Sequence, residues 1–143
     1  MSEVFFAHVG LTCKDPIAVE RFYAKHFGFK RVRVVPLGDE NQIIFTQSGN
    51  LMLEIFKAQE DRPIPQADKD GPAYPGWRHI AFEVPDVEAK LAEMGEDAKI
   101  NLGPLRFDDF ISGWAAVWIS DPEGNVIEIS QAYKDQENPP ALD

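Results

Sequence analysis

Two stretches of this sequence are built alike: FAHVGLTCKD at residues 6–15 and WRHIAFEVPD at residues 77–86. Each has a histidine inside an apolar run and an aspartate seven positions after that histidine. In each stretch the aspartate precedes a helical pattern of apolar residues, so its carboxylate is placed to cap the first helical turn. Both halves of the chain therefore begin with the same strand-then-helix signal.

In each half, three strand-like segments follow the helix pattern. The helix patterns stop at Gly28 and Gly95, since glycine favours the backbone conformation that ends a helix. The predicted strands are 30–36, 42–47 and 51–56 in the first half, and 98–100, 115–120 and 126–130 in the second. The order strand, helix, three strands thus occurs twice, which predicts an α+β fold made of two βαβββ modules.

The domain organisation follows from this repeat. We expect a single domain over residues 1–143, with a first module at 4–56 and a second at 77–131. The proline-rich stretch 57–76 is either a plain linker or a flap beside a site. The polar stretch 132–143 is expected to be a flexible tail.

Charge and composition exclude several classes of partner. The formal net charge of -10 repels nucleic-acid phosphates and anionic lipids, so we expect neither nucleic acid nor membrane as a partner. No apolar stretch is long enough to cross a bilayer, and the N-terminal residues lack a signal-peptide pattern. The single cysteine, Cys13, has no partner for a disulfide within the chain. These features predict a soluble, cytoplasmic protein.

Two glutamates lie within apolar strands, where a carboxylate is costly unless it is paired or binds a cation. Glu54 lies in the sequence MLEI and Glu128 in the sequence VIEI, each in the last predicted strand of its module. Strand alternation places each glutamate opposite an aliphatic face that packs on the helices. Both carboxylates are therefore expected on the concave side of a curved sheet.

The two glutamates and the two repeated histidines form a candidate metal site of His8, Glu54, His79 and Glu128. Two imidazoles and two carboxylates suit a divalent metal ion such as Ni, Zn, Co, Mn or Fe, with water completing a roughly octahedral shell. The alternative is a set of buried His–Glu hydrogen bonds without a metal. The third histidine, His26, lies near the end of the first helix and is interpreted as structural.

These motifs resemble the vicinal-oxygen-chelate superfamily, which includes glyoxalases, bleomycin-resistance proteins and extradiol dioxygenases. The matching motifs are HVGL at residues 8–11 with the helix that follows, LE at 53–54, HIAF at 79–82 and DPEGNVIE at 121–128. The resemblance implies two modules that form a cupped, barrel-like mixed sheet around a metal. It also implies that the ligands lie on the first and last strands of each module, where the four candidate residues fall.

The ligand pattern is most similar to that of glyoxalase I, so the resemblance implies a divalent-metal-dependent lyase or isomerase. In such enzymes the metal polarises the carbonyl of a small substrate, while a carboxylate, here Glu128 or Glu54, moves a proton on the adjacent carbon. Thr12 and Ala58 replace an arginine and an asparagine that are common in glyoxalase I enzymes. These replacements weigh against a glutathione adduct as the substrate. Homologous small proteins commonly form homodimers, with the site in one chain or shared between two.

Two other classes of function stay open. An iron-dependent extradiol-type dioxygenase would need open coordination positions, so a metal-bound Glu54 counts against it. A non-catalytic drug-binding resistance protein would usually lack the ligand set. Whichever function is right, three residues of the predicted loop 101–114 are candidates for substrate binding, because they offer an anion contact and aromatic walls: Arg106, Phe110 and Trp114. The alternative role of that loop is to cover a sheet edge or to form a dimer contact.

Overall fold

The computed structural model describes residues 2–143, which form two compact units. One unit contains residues 2–65 with 121–123, and the other contains residues 66–120 with 124–143. The elements in chain order are β1 (Val9–Cys13), α1 (Pro16–Phe27), β2 (Lys30–Gly38), β3 (Asn41–Ser48), β4 (Leu51–Lys57), β5 (Ile80–Glu83), α2 (Val87–Met94), a 3-10 helix (Gly95–Asp97), β6 (Lys99–Arg106), β7 (Ala115–Ser120) and β8 (Val126–Gln131). Each unit contains one βαβββ module, so the predicted α+β fold is confirmed.

Both α-helices begin at the predicted caps. The Asp15 carboxylate accepts a hydrogen bond from the backbone N–H of Ala18 at 3.1 Å, which satisfies one of the free donors of the first turn of α1. Asp86 does the same for α2, with a distance of 3.0 Å to the nitrogen of the third helical residue. Gly28 ends α1 at φ 71°, a left-handed conformation in which a side chain would be strained.

Each unit contains a four-stranded mixed sheet, ordered β1-β4-β3-β2 in the first and β5-β8-β7-β6 in the second. The first strand of each module runs parallel to the last, and the other pairs are antiparallel. The registers are equivalent, because Gly10 lies opposite Glu54 and Ala81 lies opposite Glu128. The internal repeat of the sequence is therefore a repeat of structure down to single positions.

Strands β4 and β8 each turn one face towards a helix. The aliphatic residues on both sides of each glutamate are fully buried: Leu53, Ile55, Ile127 and Ile129. Helix α1 packs on β1 and β4, and α2 packs on β7 and β8. Burial of each such side chain contributes about 1.5–3 kcal/mol, which fixes the face that each strand presents to its helix. Glu54 and Glu128, which are partly exposed, therefore lie on the opposite face of each strand.

The turn between β7 and β8 contributes three residues, 121–123, to the first unit. The hydroxyl of Tyr23 in α1 donates to the Asp121 carboxylate at 2.8 Å, and this bond is buried. The Glu123 carboxylate accepts from the backbone N–H of Lys14 at 2.8 Å, just before α1. The turn thus supplies acceptors both to Tyr23 in α1 and to the backbone just before α1, about one hundred residues away in sequence.

Strand β6 is longer than the prediction, which ended it at residue 100. It extends to Arg106, so the predicted loop 101–114 is reduced to residues 107–114. Gly103 and Pro104 interrupt the strand pattern, and the pairing of β6 with β7 shifts register on both sides of Leu102. A proline is tolerated here because β6 is the edge strand of its sheet.

The segment between β4 and β5, residues 58–79, contains no helix or strand. The division between the units, at Pro65 and Gln66, falls inside the predicted linker 57–76, so the second half of that linker belongs to the second unit. Residues 132–143 are exposed and belong to no helix or strand. Neither α-helix within residues 2–143 has the length and apolar character needed to cross a membrane. Met1, at the predicted domain start, lies outside the described residues, and the predicted module boundaries stay a prediction.

Candidate functional site

The first unit pairs His8 with Glu54. The distance from His8 Nε2 to Glu54 Oε2 is 3.7 Å, and the two side chains are 38% and 17% exposed. His8 is the residue before β1 and therefore lies beside the strand that carries Glu54, because β1 and β4 are parallel neighbours. The centroids of the Phe45 ring and the His8 imidazole are 6.0 Å apart, in an edge-to-face arrangement.

The second unit pairs His79 with Glu128 in the same way. The distance from His79 Nε2 to Glu128 Oε1 is 3.4 Å. His79 is the residue before β5, which runs parallel to β8, and the Trp118 ring lies 6.4 Å from the imidazole. The prediction that both histidines lie within the first strands is therefore off by one residue, since each strand begins directly after its histidine.

The tautomer of His79 is set by a backbone carbonyl. His79 Nδ1 lies 2.6 Å from the carbonyl oxygen of Asp70. A carbonyl oxygen only accepts hydrogen bonds, so Nδ1 carries the proton and donates it. The Asp70 carboxylate is itself held by Arg78, with 3.1 Å between Oδ2 and the guanidinium Nε. A part of the predicted linker therefore orients the imidazole of His79.

The chemistry of the second pair fits a cation. With the proton on Nδ1 of a neutral imidazole, Nε2 has a lone pair and faces the Glu128 carboxylate at 3.4 Å. Imidazole nitrogen and carboxylate oxygen are both ligands of divalent metal ions, so a cation between these two acceptors would bind both. A protonated His79 in an ion pair with Glu128 is the metal-free alternative. Among residues 2–143, no group of three or more His, Cys, Asp or Glu side chains is arranged to hold a metal ion, so each unit offers two ligands.

Two aromatic residues beside the pairs were not predicted from the sequence. Phe45 lies directly opposite Glu54 across the β3–β4 hairpin, and Trp118 lies directly opposite Glu128 across the β7–β8 hairpin. A signal for Phe45 exists in the sequence, because a two-residue loop fixes the register of a hairpin and only residues 49 and 50 separate β3 from β4. Both aromatic side chains belong to the surroundings of the candidate ligands.

The three predicted substrate-binding residues lie at or after the end of β6. Both Nε and Nη2 of Arg106 donate to the Asp108 carboxylate, at 2.8 and 3.0 Å. Arg106, together with the backbone N–H of Gly113, lowers the pKa of Asp108 to about 2. Phe110 is exposed, and Trp114 packs its ring on Phe107 at 5.0 Å. A role of these residues in substrate binding stays a prediction.

His26 and Cys13 lie apart from the candidate ligands in the core of the first unit. His26 is buried in α1 with its ring 5.0 Å from the ring of Phe22. Cys13 is fully buried, and this burial raises the pKa of its thiol to about 12, with a further contribution from the charge of Glu123. A buried, protonated thiol is not a nucleophile at neutral pH.

The family comparison agrees with this geometry. A family model described as the Glyoxalase/Bleomycin resistance protein/Dioxygenase superfamily matches residues 5–129. The chain belongs to this superfamily. The match covers both modules and all four candidate ligands, so the resemblance predicted from the sequence is confirmed.

Solved structures of superfamily proteins are similar to this chain. A glyoxalase family protein from Enterococcus faecalis is 30% identical, with a TM-score of 0.62 over 88% of this chain and 96% of that one. A lactoylglutathione lyase from Agrobacterium tumefaciens is 24% identical, with a TM-score of 0.60 over 92% and 96%. The fosfomycin resistance protein FosX from Listeria monocytogenes, complexed with Mn(II) and sulfate, is 14% identical, with a TM-score of 0.63 over 92% and 95%. The last two show a shared fold.

Proposed function

We propose that this protein is a divalent-metal-dependent lyase or isomerase of glyoxalase type that acts on a small carbonyl-containing substrate. The observation that carries the proposal is the second pair, in which the Asp70 carbonyl holds the proton on His79 Nδ1 and leaves Nε2 facing Glu128 at 3.4 Å. The equivalent pair of His8 and Glu54 supports it, since both pairs occupy the same register positions of their modules.

The four paired residues would hold the ion: His8, Glu54, His79 and Glu128. When bound, a divalent ion polarises a substrate carbonyl and makes the adjacent C–H bond more acidic. Glu128 or Glu54, having left the ion, would accept that proton and return it to a neighbouring carbon, which would isomerise the substrate without net oxidation. The Asp70 carbonyl keeps His79 in the tautomer that presents Nε2 to the site.

A substrate other than a glutathione adduct fits this chain better. Thr12 is an exposed residue of β1 with a short neutral side chain, which provides no cationic group for a glutathione carboxylate. Ala58 has no polar side chain, and its backbone N–H donates to the carbonyl of Cys13 at 2.8 Å. The proposed reaction therefore keeps the proton transfer of glyoxalase I and changes the molecule on which it acts.

We also propose that the active form is a homodimer in which the His8–Glu54 pair of one copy meets the His79–Glu128 pair of the other. Each unit contains two candidate ligands, fewer than a typical divalent site has, so a complete site needs both pairs. The apolar side chains of Val4, Phe5 and Phe6, just before His8, are exposed and would be buried by such a partner.

Metal analysis of the purified protein by ICP-MS tests the proposal. We expect about one divalent ion per chain, as four ligands per ion in a symmetric dimer require. The double variant Glu54→Ala, Glu128→Ala should lose the ion, because both carboxylate ligands are removed. The matched control is Glu60→Ala, Glu137→Ala, which removes two exposed carboxylates outside helices and strands and should keep the ion.

The identity of the ion decides the next step. Nickel, zinc, cobalt or manganese would lead to NMR in D2O, where exchange of the C–H proton next to the carbonyl of candidate substrates should need Glu54 and Glu128. Iron would favour the dioxygenase alternative, which oxygen uptake with aromatic diols would test. A protein that binds no ion after reconstitution would contradict the four-residue site and favour a ligand-binding function.

A further inference from the structure

Trp118 in β7 has a buried donor without an acceptor. The residue is only 7% exposed, and its buried indole Nε1 makes no hydrogen bond to any group of residues 2–143. An indole N–H can only donate, and nine-tenths or more of buried polar groups in proteins have a partner. The unpaired N–H of Trp118 therefore points to an acceptor that this chain does not itself supply.

Asn101 in β6 presents a second such donor. Its Oδ1 accepts from the hydroxyl of Ser120 at 3.0 Å. Its Nδ2 is buried and has no acceptor in the part of the chain that the structure describes. Ser120 and Trp118 are two residues apart in β7, so their side chains lie on the same face of the sheet. The two unpaired donors therefore belong to one region of the second unit.

This region adjoins the His79–Glu128 pair. Trp118 lies directly opposite Glu128 in the antiparallel β7–β8 ladder, and residues in that relation present their side chains to the same face. The Trp118 ring is also 6.4 Å from the His79 ring. The face that carries two candidate ligands thus also carries two unused N–H donors.

An irregular segment packs against the cluster that contains Trp118. Ala67 and Phe107 pack against the cluster that contains Trp118, with 6.5 Å between the rings of Phe107 and Trp118. Ala67 belongs to residues 66–79, which contain no helix or strand and also include Asp70.

We propose that Trp118 Nε1 and Asn101 Nδ2 donate hydrogen bonds to oxygen atoms of the substrate. The inference rests on the proposed function, because it places the substrate beside the His79–Glu128 pair. It specifies the substrate further as a molecule with acceptor oxygens that these two donors can reach. Leu102 and Phe107, which pack on the same cluster, provide an apolar wall for the rest of the molecule.

NMR of the full chain loaded with Zn(II), which is diamagnetic, tests this role with acetohydroxamate as the probe. The probe has two adjacent oxygens, and each of the three tryptophans gives one indole 1H–15N signal. The signal that disappears in Trp118→Phe is that of Trp118. We expect this signal to move downfield as the probe saturates the protein, because the indole gains an acceptor. The signal of Trp77, which is 99% exposed, should not move.

Affinity for the probe, measured by calorimetry, gives an independent readout. Trp118→Phe keeps an aromatic ring and removes the donor, so the affinity should fall about tenfold, the effect of one net hydrogen bond. A variant with benzothienylalanine at position 118, which keeps the shape of the indole and lacks its N–H, should show the same fall. The control Trp77→Phe should bind the probe as the wild type does.

The results separate the two proposals. A chain that takes up no Zn(II) would contradict the metal site and, with it, the inference. Normal Zn(II) uptake with a stationary Trp118 signal would overturn the inference alone. Equal probe affinity in the wild type and in the benzothienylalanine variant would overturn it as well.

Discussion

At the scale of single residues, two weakly acidic groups lie buried in the first unit: the thiol of Cys13 and the hydroxyl of Tyr23. Burial raises the pKa of Cys13 from 9.0 to about 12, and the negative charges of Glu123 and Asp121 act in the same direction. Burial and then Asp121 raise the pKa of Tyr23 well above its ordinary value of 10.0. Both groups therefore hold their protons more strongly in the folded state than in the unfolded state.

The free energy of unfolding should consequently decrease as the pH rises above 9. Between pH 9 and 12 the unfolded chain releases the Cys13 proton and the folded chain keeps it, so rising pH favours the unfolded state. Urea denaturation at a series of alkaline pH values should show this decrease. Cys13→Ala should make it shallower from pH 9, and Tyr23→Phe from pH 10. A Cys13→Ala profile parallel to that of the wild type would refute the raised thiol pKa.

Single residues were predictable where a side chain contradicts its local pattern. Glu54 and Glu128 stand out because a carboxylate within an aliphatic strand needs a partner. Asp70 could not be identified in this way, because its backbone carbonyl contacts His79 and a carbonyl is present at every residue. Trp118 could not be identified from the sequence either, because an aromatic residue in an apolar strand is ordinary. Only the structure shows that its N–H is unpaired.

At the scale of elements, the aspartate caps of the two α-helices are equivalent, and their removal should have equal effects. Asp15→Ala and Asp86→Ala should each lower the free energy of unfolding by about 1 kcal/mol, because each leaves one first-turn N–H without its acceptor. Urea denaturation at neutral pH measures the change. The control Asp61→Ala, in an exposed irregular stretch, should stay within about 0.5 kcal/mol of the wild type. A loss no larger than the control would show that the caps do not stabilise the helices.

Helices were predicted more closely than strands, and the reason is local chemistry. A capping aspartate and a terminal glycine mark both ends of α1 within the sequence itself. Strand β6 lacks such marks, and its Gly103-Pro104 pair is typical of a loop. What keeps β6 in the sheet is its pairing with β7, a contact between distant residues that local patterns do not encode.

At the scale of the whole molecule, complementation between two inactive variants tests whether the site is shared. One variant has His8→Ala and Glu54→Ala, and the other has His79→Ala and Glu128→Ala. Each homodimer should bind no metal. If the site is shared, a mixed dimer combines the intact pair of one chain with the intact pair of the other, so co-expression should restore one ion per mixed dimer. Metal analysis of differently tagged, co-purified chains measures this, and an empty mixed dimer would rule out the shared site.

The repeat in the sequence predicted the two modules and their order of elements, which the structure confirms. It did not predict that the units divide at residues 65 and 66, or that residues 121–123 belong to the first unit. The DPEGN turn is recognisable as a turn from its composition. Its partners, Tyr23 and the N–H of Lys14, are about one hundred residues away, and no periodicity of the sequence records that distance.

The contribution of residues 121–123 to the first unit has a consequence for how such a duplicated chain can be divided. A gene cut between the two repeats would encode a first fragment whose Tyr23 hydroxyl has lost Asp121 and whose Lys14 N–H has lost Glu123. The first fragment would contain the two donors, and the second fragment would contain their acceptors. Although the repeats are alike, a first fragment without residues 121–123 should be less stable than the first unit of the whole chain, and adding the second fragment should restore these two bonds.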